Sequence, residues 1–128
     1  MNLVDTTPSL EQVDVNALIA HSRRHTVPWY DYIASFFAGM FLTNVVPHFV
    51  HGISGDPFPT PFSRPPGKGL SSPTVNVVWA LFNLVIGYLL FRVGKISSGE
   101  RSTLLIFFAG IVVIGIMSSL SFATKHTR

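Results

Sequence analysis

Cysteine is absent from the chain, which excludes disulfides, thiolate chemistry and cysteine-held zinc or iron–sulfur centres. Charge is scarce too. Asp, Glu, Lys and Arg make up 12% of the 128 residues and hydrophobic residues 48%, with a mean hydropathy of +0.44. That balance is too apolar for an ordinary soluble domain, and a chain this short cannot enclose so much apolar surface. Lipid is therefore the expected solvent. The first sixteen residues have no basic stretch and carry Asp5, Glu11 and Asp14, so no cleaved signal peptide is expected. A phosphate-cradling glycine loop, an HExxH helix and a Ser/His/Asp signature are also missing, which disfavours an enzyme.

What is present are three apolar runs, each long enough to cross a bilayer. The pattern predicts an all-α membrane protein, three transmembrane helices preceded by a short amphipathic N-terminal helix. The expected divisions are an amphipathic and polar segment at 1–28, transmembrane helices at 29–51, 74–92 and 103–123, connections at 52–73 and 93–102, and a polar tail at 124–128. Leu10, Val13, Ala17 and Ala20 recur at helical spacing behind a Ser9/Gln12 capping box. The first span is entered through Pro28 and the aromatic cluster Trp29, Tyr30 and Tyr32, which suits the headgroup level. Ser72 and Pro73 read as N-cap and first residue of the second span, and Ser97 with Glu100 as a capping box before the third.

The 52–73 connection holds Pro57, Pro59, Pro61, Pro65, Pro66 and Pro73 with four glycines. Regular helix or ladder strand is not expected there; an extended, polyproline-type loop that presses Phe58 and Phe62 against the interface is. The short 93–102 connection predicts an antiparallel hairpin of the second and third helices.

The net charge of +3 does not point to nucleic acid, because the basic residues sit at the ends of the apolar runs, where anionic lipid headgroups lie. The bilayer is the expected partner. Arg23, Arg24, Arg92, Lys95 and Arg101 on one side outnumber Arg64, Lys68, Lys125 and Arg128 on the other by one, so the N-terminus is expected inside a cell (inner or plasma) membrane.

Asn44, His48 and His51 would share one face of a continuous helix. Such a stripe could bind metal or haem through imidazole, or pass protons, with His48, His51 and Asp56 as a partial metal shell. Pro47 opposes this reading, since it removes a ladder hydrogen bond just before His48 and Gly52 follows as a stop signal. The histidines would then be wet-tipped residues bonded to loop carbonyls. No cofactor is expected on balance. Asn76 and Asn83, seven positions apart on the second span with Trp79 between them, suit interhelical hydrogen bonding.

Small residues recur at intervals of four as Ser35, Gly39 and Thr43 in the first span and Gly115, Ser119 and Ala123 in the third. Such rows let helices approach closely, within the chain or between copies. Asp31, one turn into the first span, is stabilised by the positive helix start and has a minor claim as a catalytic acid. Arg92 reads as a snorkelling anchor.

The run from Val46 through Pro47-His48-Phe49-Val50-His51-Gly52-Ile53-Ser54 to Gly55, followed by Pro57-Phe58-Pro59 and Pro65-Pro66-Gly67-Lys68-Gly69-Leu70-Ser71-Ser72-Pro73, resembles small uncharacterised bacterial membrane proteins. The likeness continues through Asn76-Val77-Val78-Trp79 and Phe82 to Tyr88. It covers roughly a third of the chain, and implies a bacterial membrane setting without a reaction. The expected function is a non-enzymatic accessory or scaffold subunit, a homo-oligomer or part of a larger membrane complex. The alternative is metal, haem or proton handling through Asn44, His48 and His51.

Overall fold

The structure is a computed structural model that describes residues 15, 17–19, 26–97 and 100–123. Three long helices dominate it: α1 (Trp29–Ser54), α2 (Pro73–Val93) and α3 (Arg101–Ala123). Each is long and apolar enough to cross a membrane. At a rise of 1.5 Å per residue, even the 21 residues of α2 reach about 31 Å, the thickness of a hydrocarbon core. The chain is all-helical apart from its connections, with exposed helical residues at Val15 and 17–19 marking a short N-terminal helix. The Ser9/Gln12 box, Arg23, Arg24 and the 124–128 tail lie outside the described residues.

α1 does not break at Pro47. It continues past the expected end at residue 51 to Ser54, with Pro47 inside the helix. A proline forfeits one ladder bond, and in lipid neighbouring helices can hold the backbone in place. Nor is Gly52 the stop. A Cβ there would lie 2.6 Å from Val77 Cγ2 and 2.9 Å from Val77 N, so this glycine lets the start of α2 lie against α1. The stop is Gly55, left-handed at φ 79°. Its N–H donates to the Gly52 carbonyl (3.3 Å) and the Asp56 N–H to the His51 carbonyl (2.9 Å), a Schellman ending.

α2 starts at Ser72, whose hydroxyl accepts from the Val75 N–H (3.4 Å), with Pro73 in the first turn. Before α3, the Glu100 N–H donates to the Ser97 carbonyl (3.1 Å) and the Glu100 carbonyl accepts from Leu104 (3.2 Å). These are backbone bonds, and the expected Ser97/Glu100 side-chain box is not found among the described residues.

The expected pairing of α2 with α3 is corrected by the packing. Both lie against α1, and their own backbones do not come together, although Phe91 and Phe107 meet edge to face at 5.6 Å. The short connection sets the direction of α3 but not its partner. That choice falls to close backbone approach. A Cβ on Gly39 would run into the Phe107 carbonyl oxygen, and one on Gly110 into that of Phe36. α1 is thus central, with α2 running antiparallel to it and α3 parallel.

Candidate functional site: the junction of α1, α2 and the Pro/Phe loop

The loop between α1 and α2 folds back on itself. Phe58 and Ser71 close it as an isolated antiparallel bridge, with reciprocal N–H to carbonyl bonds of 3.2 and 3.1 Å. Inside that closure, the Gly67 N–H donates to the Thr60 carbonyl (3.0 Å) and the Gly69 N–H to that of Pro65 (2.8 Å). The Ser63 hydroxyl donates to the Thr60 carbonyl (2.7 Å), and the hydroxyls of Thr60 and Ser71 bond each other. Thr60, Ser63 and Ser71 are all buried. The expected extended polyproline segment is therefore a compact, internally bonded Ω-type loop. Short polar side chains supply the hydrogen bonds that proline cannot donate.

Asn76, fully buried on the first turns of α2, ties the loop to the helices. Its amide nitrogen lies 3.0 Å from the Phe58 carbonyl, 3.1 Å from that of Ser72 and 3.3 Å from that of Ser71. Carbonyls only accept, so the amide protons face them and Oδ1 faces His48 Nδ1, 2.8 Å away. His48 must therefore donate from Nδ1, and in the neutral ring Nε2 is the acceptor. The imidazole is buried, edge-on to Phe58 (5.3 Å) and Trp79 (6.4 Å).

The predicted stripe on α1 divides among three partners. Asn44 donates to Asn83 Oδ1 (3.1 Å), while Asn83 donates to the Trp79 carbonyl (2.7 Å). His48 goes to Asn76. His51 stacks flat on Phe58, with ring centroids 4.3 Å apart, and its Nδ1 lies 3.9 Å from Asp56 Oδ2. Among the described residues, no group of three or more His, Cys, Asp or Glu side chains is placed to hold a metal ion. His48 and His51 thus lie one turn apart on α1, both against the Phe58 ring, but with different polar neighbours, Asn76 for His48 and Asp56 for His51.

A cavity of about 220 Å³ adjoins the Asn44–Asn83 pair, lined also by Met40, Phe41, Trp79 and Ile114. On the outer side of α2, Phe62 from the loop meets Trp79 edge to face at 5.1 Å, and Trp79 stacks on Phe82 at 5.4 Å. Together they line an apolar groove of about 360 Å³. Of the small-residue positions, Gly39 is buried against α3, whereas Gly115 has open space and Ser119 is exposed. That leaves the α3 row free for lipid or another chain. Arg92 is exposed and donates to the Tyr88 hydroxyl (3.3 Å).

Sequence reasoning missed Thr60, Ser63 and Ser71, the buried hydroxyls of the loop. Their signal was short polar residues interleaved with prolines, where backbone acceptors outnumber donors.

Three spanning helices and a polar knot at one end define a small multi-pass membrane protein. Comparison with protein-family models, curated proteins and solved structures finds no match.

Proposed function

We propose that the chain is a non-enzymatic accessory or scaffold subunit of a cell (inner or plasma) membrane, with its N-terminus inside, packing with itself or with a larger membrane complex. The observation that carries this reading is that, while His51 Nδ1 and Trp79 Nε1 at the same junction make no hydrogen bond, Asn44, Asn83, His48, Asn76, Thr60 and Ser71 bond one another and the loop backbone. Their use is to hold a shape. The shape held is a loop that exposes Phe62, Leu70, Arg64 and Lys68, while α3 exposes Gly115 and Ser119 along a face that α1 leaves uncovered. Groups so arranged suit recognition by another protein better than turnover of a substrate.

Purification in mild detergent followed by mass measurement tests the proposal. The expected particle exceeds one chain or carries a co-purifying protein. A strictly monomeric particle with no companion would overturn it. Because the chain has no cysteine, Ser119→Cys adds a single thiol for cross-linking, which distinguishes self-association through α3 from assembly with another protein.

A second reading is metal, haem or proton handling through Asn44, His48 and His51. It is favoured by the tautomer of His48, which keeps the Nε2 lone pair available. An absorption spectrum with metal analysis of the purified protein decides it. A Soret band or stoichiometric metal would favour this reading over the first.

A further inference from the structure

The far end of α1 holds a buried group that the loop junction does not use. Asp31, in the first turn of α1, has a side chain only 3% exposed. Its Oδ1 is buried and has no hydrogen-bond partner. Its Oδ2 lies 3.9 Å from Lys95 Nζ, beyond hydrogen-bond reach, and the Lys95 side chain is 72% exposed. A carboxylate oxygen withdrawn from water without a donor is costly, and a bound water or ion is one way of satisfying it.

Space for such a ligand lies beside it. Where the start of α1, the end of α2 at Gly94 and the start of α3 converge, a cavity of about 90 Å³ is lined by Asp31, Gly94, Lys95, Glu100 and Thr103 and, from the segment before α1, by Thr26 and the apolar Val27 and Pro28. That is room for a small ion with part of its hydration shell. The polar groups other than Lys95 are oxygen ligands. Thr103 Oγ1 is buried and gives its proton to the Glu100 carbonyl (3.1 Å), which leaves its lone pairs to accept. Oxygen-only sites take hard cations.

Charge selects among them. Asp31 and Glu100 contribute two negative charges, and the end of α2 adds the negative end of its dipole. Opposing them are the starts of α1 and α3, worth about half a charge each, and Lys95, whose exposed ammonium is screened by water. Before Lys95 is counted the remainder is about one and a half negative charges, and Lys95 reduces it towards about one half. One carboxylate in the first shell and a lysine nearby suit a monovalent ion, since a divalent ion calls for more carboxylate.

We propose that this pocket binds a sodium ion through the Asp31 carboxylate, with the Thr103 hydroxyl as a further oxygen ligand and the half-exposed Glu100 carboxylate adding negative charge from the pocket wall, in competition with the Lys95 ammonium. Binding there would tie together the ends of all three helices.

Thermal unfolding of the full chain in detergent, in sodium, potassium and choline chlorides at equal ionic strength, tests it. Sodium should raise Tm saturably and more than potassium, and choline should not. Asp31→Asn should abolish the sodium effect. Should that variant fail to fold, substitutions at half-exposed Glu100 and exposed Lys95 carry the test: Glu100→Gln should raise the sodium concentration needed and Lys95→Ala should lower it. Equal Tm in sodium and choline would overturn the proposal and leave the cavity to water. A Lys95→Ala variant that loses stability without moving the sodium midpoint would also overturn it, with the ammonium as the occupant.

Discussion

Asn76 bonds more groups than any other side chain at the junction, and its loss leaves several of them bare. Asn76→Leu orphans the His48 N–H and weakens the hold on three carbonyls. With about 1–3 kcal/mol for each buried group left unsatisfied, the expected loss is about 3 kcal/mol, measured by denaturant unfolding in micelles, and the loop should become protease-sensitive. Asn83→Leu removes one interhelical bond from Asn44 and should cost only about 1 kcal/mol, as is usual between membrane helices. The tautomer of His48 can be read directly. Nitrogen-15 NMR of labelled histidine should show Nδ1 protonated and Nε2 bare at neutral pH; the opposite tautomer would mean that the Asn76 amide is turned around.

Among the helices, glycine position decides which surfaces meet. Gly39 and Gly110 each face a carbonyl of the neighbouring helix, so Gly39→Val or Gly110→Val must force α1 and α3 apart. Overpacking of this kind costs about 1–3 kcal/mol, and backbone contact puts these variants at the upper end. Gly115→Val has open space around it and should change unfolding by less than about 0.5 kcal/mol. If copies pair through α3, it should still weaken association in sedimentation. The same reasoning accounts for Gly52. Its place between α1 and α2 is invisible to a local reading, in which a glycine after two histidines and a proline looks like a terminator.

For the molecule as a whole, α1 is the central post and α2 and α3 are its flanks. The arrangement puts the loop at one end of the bundle and the Asp31–Lys95 pocket at the other. Single cysteines at Lys68 and Lys95 should therefore react with an impermeant thiol reagent from opposite faces of sealed vesicles. Reaction of both from one face would contradict a membrane crossing by α2.

Hydropathy and punctuation in the sequence by themselves determined the all-helical class, the three spans and the Ser72–Pro73 start of α2, because these depend on local composition and on lipid as solvent. The shared face of Asn44, His48 and His51 was legible for the same reason, since helical spacing is a local property. Only tertiary structure decided that α1 runs through Pro47, that α3 chooses α1 over α2, and that the stripe divides among Asn83, Asn76 and Phe58. Those outcomes turn on which backbones can approach within contact and on which distant carbonyl or amide completes a buried hydrogen bond. Both are relations between residues far apart in the chain, so a window on the sequence does not contain them.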